Sequence, residues 1–169
     1  MLNHLGLRQL IVVVACVGLT ACGFRLAGTS ELPAELSTIR LATSNFDKQQ
    51  QDELSGRLTR AGANVVSEAT EGAVLLSVKL NVIPNRRLAS AGSSGRFVVR
   101  IARSLDYSLK SSDGELLLPS KTLRTQSDSE LDDDSLLAST REKENVGKDL
   151  EQALFEQLVN QLRLINFDS

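Results

Sequence analysis

Tryptophan is absent from this chain, and aromatic residues of all kinds make up only 4% of it. Any core must therefore be mostly aliphatic. Histidine is represented once, by His4, and cysteine twice, by Cys16 and Cys22. An excess of positive charge is missing as well. The 19 lysines and arginines face 21 aspartates and glutamates, for a formal net charge of −2. Nucleic-acid-binding surfaces usually show a basic excess, so nucleic acid is not an expected partner. Long apolar runs are scarce. The one without a charge, residues 10–19 (LIVVVACVGL), is too short to span a bilayer comfortably as a helix. What remains, 41% hydrophobic and 24% charged, is a globular composition sufficient for one domain.

The apolar run follows Arg8 and leads into Leu19-Thr20-Ala21-Cys22. A short basic segment and an apolar segment form the pattern of an export signal. A buried N-terminal helix or strand is the competing reading, and the residues that follow argue against it. Leu19 to Cys22 resembles a lipobox, in which small residues fit the peptidase pocket and the cysteine becomes the first residue of the mature chain. Residues 1–21 then form the signal peptide. Cys22 would carry an S-diacylglycerol and an N-acyl chain. Each buried CH₂ adds about 0.8 kcal/mol, and one chain alone anchors only marginally, so three should hold the protein on a membrane durably. Gly23, where aspartate would retain a lipoprotein at the inner membrane, points to the outer membrane, facing the periplasm.

Processing would remove His4 and Cys16. The mature chain would hold no histidine and no internal disulfide. That excludes Ser-His-Asp and Cys-His catalysis and most zinc sites. Residues 92–95 (GSSG) lack the G-x-S-x-G spacing of a nucleophile elbow and read as a flexible loop. The acidic stretch 127–134 (SDSELDDD) lacks the glycine and terminal glutamate of a calcium loop. It reads as a solvated loop and helix start. Neither a metal nor a cofactor is expected.

Residues 22–36 read as a lipidated tether, and 37–169 as the domain. Residues 38–43 (TIRLAT) alternate as a half-buried strand. Ser44 or Asn45 can cap a helix running to about Ala61, with Phe46, Leu54, Leu58 and Ala61 on one face and Gly62 as its stop. Residues 63–68 form a short strand end or a loop. Residues 73–83 form a strand that Pro84 interrupts or edges. In residues 96–110, Phe97, Val99, Ile101 and Arg103 share one face. Asp113-Gly114 marks a hairpin, and residues 115–126 return with Pro119 as the weak point. A long amphipathic helix covers residues 141–165, with Val146, Leu150, Ala153, Leu154, Leu158, Leu162 and Ile165 on its apolar face. Gly147 weakens its start. This order predicts an α+β two-layer sandwich, with two helices on one face of a mostly antiparallel four-stranded sheet.

Taken together, Cys22-Gly23-Phe24-Arg25-Leu26, Pro33, the TIRLA strand, Gly62-Ala63-Asn64-Val65, the DG hairpin and the closing LEQALFEQLVNQL resemble the LptE (RlpB) family of LPS-assembly lipoproteins. The resemblance covers nearly the whole chain. It implies a plug inside the outer-membrane β-barrel LptD, assistance to the folding of that barrel, and binding of lipopolysaccharide. It also implies a fold of two helices on four strands. Lipopolysaccharide presents phosphates, which arginine forks match bidentately. The candidate contacts are Arg86, Arg87, Arg96, Arg100, Arg124 and Arg141. The family's two basic contacts fall near 91–94 and Ser139, where this chain has no base. Two other readings stay open: an adaptor lipoprotein of another envelope machine such as barrel assembly, and an enzyme using paired carboxylates on cell wall or lipid.

Overall fold

Ile39 is fully buried between two half-buried neighbours, and this alternation sets the first strand, β1 (Thr38–Ser44). The computed structural model describes residues 31–68, 70–91, 95–132 and 135–167. The signal segment, Cys22 and loop residues 92–94 lie outside the described residues. Just before β1, a 3-10 turn at Ala34–Leu36 buries Leu36, and Leu32 is also in the core.

Helix α1 (Lys48–Arg60) follows β1. Its cap is Asp47, one turn later than Ser44 or Asn45. The Asp47 carboxylate accepts the Gln50 backbone N–H at 2.8 Å, and the Gln50 side chain accepts the Asp47 N–H at 2.8 Å. This reciprocal box satisfies two donors that a helix start leaves open. Asn45 instead turns the chain at φ 61° and donates its side-chain amide to the Leu80 carbonyl. At the other end Gly62 takes φ 99°. Its N–H reaches the Thr59 carbonyl, and the Ala63 N–H reaches Leu58. These are the two bonds of a Schellman stop, which a residue with a Cβ closes at a cost.

The sheet has five strands and is mixed, not four antiparallel. β2 (Asn64–Val66), β3 (Val74–Ala91), β4 (Arg96–Lys110) and β5 (Leu116–Asp132) complete it in the order β2-β1-β3-β4-β5. The extra strand is β2, three residues paired parallel to β1. β1 also pairs parallel to β3, while β3-β4 and β4-β5 are antiparallel. The parallel pairs follow from α1, because a helical crossover returns the chain to the same end of the sheet. β3 continues through Pro84. Its pairing with β1 ends at Lys79 and its register shifts between Ile83 and Arg86, so the missing N–H faces an unpaired edge. β5 runs six residues past its expected end and takes in residues 127–132 of the acidic stretch. Leu131 is buried there while Asp128 and Glu130 stay on the exposed side.

Helix α2 (Leu136–Arg163) starts five residues early, and its 28 residues extend about 42 Å along the sheet. The Ser139 hydroxyl donates to the Asp132 carbonyl at 2.8 Å and ties the helix start to the end of β5. Both helices pack on the same sheet face. Leu54 and Leu58 of α1 join Leu154, Phe155, Leu158 and Leu162 of α2 over Ile39, Leu76, Val78, Leu80, Leu105, Tyr107 and Leu109. Phe46 stacks on Phe155 at 5.5 Å between ring centroids. A second, smaller cluster joins Phe97, Val99, Ile101 and Leu131 to Leu150 and Val146. It lies where only β3, β4 and β5 continue, under α2 alone. The sheet thus tapers from a five-stranded base to a three-stranded arm.

Between the two clusters sits Arg103. Its Nε donates to Glu151 Oε1 at 3.0 Å, and both side chains are nearly buried, 12% and 11% exposed. The second oxygen of Glu151 accepts Gln50 Nε2 at 2.7 Å. Gln50 is the box partner of the α1 cap Asp47, so one carboxylate joins β4, α2 and α1. A Cβ on Gly147 would collide with the Arg103 guanidinium. Gly147 is therefore a clearance for this ion pair, although it sits in a helix where glycine is unfavourable.

That clearance predicts a reversal of sign. Gly147→Ala should destabilise the chain by about 2 kcal/mol, because it displaces a buried ion pair. In an Arg103→Met, Glu151→Leu background the same substitution should stabilise by up to about 1 kcal/mol, the ordinary helix preference of alanine. Chemical denaturation of the four chains measures both. Destabilisation of equal size in both backgrounds would dismiss the clearance.

Candidate functional site

Because side chains alternate across a strand, the residues between the core positions form the opposite, helix-free face. Cross-strand partners define its rows. Arg40, Leu75 and Lys110 lie side by side, followed by Ala42, Ser77 and Ser108, then by Ser44, Lys79, Asp106 and Thr122. Farther along the arm come Asn81, Ser104 and Arg124, then Arg86, Arg100 and Asp128, and at the end Arg96 and Asp132. The small residues Ala42, Ser77, Ser108 and Ser120 help to line a hollow of about 300 Å³ beside Lys79 and Asp106. The face is charged and hydroxyl-rich, with cations in excess: seven stand in these rows against three carboxylates.

Asp106 is held below the usual carboxylate range by hydrogen bonds from Thr122 and Asn81, at 2.6 and 2.9 Å. Arg100 grips Asp128 with two bonds of 2.7 Å. This fork lowers the Asp128 carboxyl and raises the Arg100 guanidinium. Arg96 pairs more loosely with Glu130, at 3.5 Å. On the core side, burial pushes the Tyr107 hydroxyl up.

The candidate arginines divide between faces. Arg86, Arg96, Arg100 and Arg124 stand on the helix-free face. Arg87 is paired to Val99 and turns to the other side, where its guanidinium lies 3.8 Å from the centroid of the Phe97 ring. Lys143 of α2 approaches the same ring at 5.9 Å. Such cations are attracted by the ring face. Arg141 is exposed in the second turn of α2, close in sequence to the Ser139 tie. Five of the six therefore belong to the arm and the helix start beside it, and Arg124 lies nearer the middle of β5. Cys22 lies outside the described residues. Arg40, Lys79 and Lys110 were not among the expected contacts. Their signal was present in the strand parity, since each alternates with a buried neighbour.

The fold recurs in solved structures. The minor lipoprotein of Acinetobacter baumannii matches at 16% identity and TM-score 0.60, over 76% of this chain and 91% of that one. The chain has the fold of that lipoprotein. An uncharacterized lipoprotein B of Nitrosomonas europaea matches at 20% identity and TM-score 0.61, over 83% and 90%. The rare lipoprotein B of Shewanella oneidensis matches at 12% identity and TM-score 0.53, over 74% and 92%. No protein-family model and no curated protein matches the sequence. Among the described residues no helix is long and apolar enough to cross a membrane.

The two lowered carboxylates make acid sensitivity a test of this face. A carboxyl whose native pKa is depressed adds stability above its unfolded value, and that addition is lost as pH falls through the native value. Asp106→Asn and Asp128→Asn should lower the melting temperature at pH 7. The deficit should close as the pH drops below about 4. A deficit that persists unchanged at pH 2 would mean the carboxylate charge is not what stabilises the rows.

Proposed function

We propose that this protein is a non-enzymatic lipoprotein of the outer membrane, anchored through lipid on Cys22, that plugs the LptD β-barrel and binds lipopolysaccharide. The observation that carries this reading is the arm. It is a narrow three-stranded projection on which Arg86, Arg87, Arg96 and Arg100 accompany the exposed Leu88, with Arg141 and the exposed Leu137 on the adjoining helix start. Cations and apolar side chains in one region suit a ligand that presents phosphates beside acyl chains. The fold held in common with the Shewanella rare lipoprotein B, and the lipobox pattern at Cys22, support the same reading.

The chain should co-purify with a large outer-membrane β-barrel when isolated from membranes in mild detergent. Recovery of a different envelope assembly as the main partner would move it to the adaptor reading. Replacing Arg86 and Arg96 with Asp should weaken lipopolysaccharide binding about tenfold or more, given charge-assisted hydrogen bonds of about 1.5–3 kcal/mol each. The loss should be larger at low salt, where exposed charges are less screened. Adding Arg87→Asp should deepen the loss. Unchanged binding at every ionic strength, with an unchanged circular dichroism spectrum, would place the ligand elsewhere.

A further inference from the structure

The opposite end of the sheet carries a second set of cations with different surroundings. Arg40 on β1 and Lys110 on β4 flank Leu75 in a single row. Adjacent strands lie about 4.8 Å apart, so the two backbones are about 10 Å apart across the row. Between them is a hollow of about 320 Å³, lined also by Thr70 and by Ser111, Ser112 and Gly114 of the β4-β5 hairpin. Among the described residues no carboxylate lines it. Several other cations are paired: Arg57 with Glu53, Arg96 with Glu130, Arg100 with Asp128, Arg103 with Glu151. Neither Arg40 nor Lys110 has a salt bridge among the described residues.

The hairpin holds its part of this hollow in place. The Ser111 N–H donates to the Glu115 carbonyl at 2.8 Å, and the Ser111 hydroxyl oxygen accepts the Glu115 N–H at 3.1 Å. The hydroxyl proton of Ser111 is thereby left to donate elsewhere. The Gly114 N–H donates to the Ser111 carbonyl. Glu68, Glu71, Asp113 and Glu115 are the nearby carboxylates in sequence. All four are exposed, and none lines the hollow.

We infer that this base hollow is a phosphate-binding site, in which the Arg40 fork and the Lys110 ammonium grip a phosphate mono- or diester while the Ser111 and Ser112 hydroxyls complete its hydrogen bonds. An arginine fork matches two phosphate oxygens at once, and lysine adds a mobile point charge. The hollow is wider than a lone phosphate and leaves room for the ester group. The site is separate from the arm, and it stands or falls independently of the proposed function. The phosphate can come from a soluble ester or from a phospholipid headgroup.

The test uses the full ¹⁵N-labelled chain in maltoside micelles. Inorganic phosphate is added in one arm and phosphatidylglycerol in the other, each against chloride at equal ionic strength. Backbone amides of residues 110–115 should shift in at least one arm. A response to phosphatidylglycerol alone identifies the lipid headgroup, and a response to inorganic phosphate identifies the phosphate group itself. The Arg40→Gln, Lys110→Gln chain should bind about tenfold more weakly, the value of one charge-assisted bond, with an unchanged melting temperature. Arg40→Lys should retain most of the binding. Should the double variant fold poorly, Lys110→Gln alone, at an exposed position, reports the same loss. Silence of these amides in both arms, or an equal response in the folded variants, overturns the site.

Discussion

A single carboxylate holds the architecture together. Glu151 receives Arg103 from the sheet and Gln50 from the start of α1 while sitting on α2. Buried charges are costly unless each is paired and hydrogen-bonded. Here both oxygens of the carboxylate have a donor, and Arg103 also donates to the Ala102 carbonyl. The arrangement admits only one relative setting of the three elements. Apolar packing is tolerant of small slides, but a shifted helix would leave Glu151 without its partners. Gly147 shows the cost of this solution, as helix propensity is given up to make room for the guanidinium.

The position of this junction also divides the molecule. On one side lies the larger aliphatic core under both helices; on the other, the smaller cluster under α2 alone. The taper frees the far part of β3 from β1, and β5 is an edge along its whole length. Open edges invite pairing with other strands. Pro84 and the two register shifts blunt one of them, while Pro119 and alternating charges blunt the other. The arm can project as three strands because of these devices. Its helix-free face is then available for polar rows, whose charges largely answer one another across β4 and β5.

Periodicity made much of this legible in the chain. Leu150, Leu154, Leu158 and Leu162 of the 3.6-residue stripe, and the alternating Phe97, Val99 and Ile101, are buried, while Val146, Ala153 and Ile165 are half-buried. Arg103 fell on the same face in that pattern, and its charge is explained only by Glu151, 48 positions away. Three misreadings have a common origin. β2 is too short to show a period, and its partner is remote in sequence. The acidic end of β5 reads as a loop until Arg100 and Arg96 are set beside Asp128 and Glu130. Asp47 displaced two equally suitable caps because Gln50, its box partner, is also held by Glu151.

Strand and helix periods, the Gly62 stop and the Asp113-Gly114 turn are written locally, since each depends on backbone preferences within a few residues. The compartment expectation from Cys22 is equally local. The mixed five-stranded sheet, the choice of which face Arg86 and which face Arg87 takes, and the meeting of Arg40 with Lys110 are not local. They arise from pairing between distant strands and from two register shifts in β3. A one-residue slip moves a side chain to the other face, so the charges on the helix-free face were assigned when the strands came together.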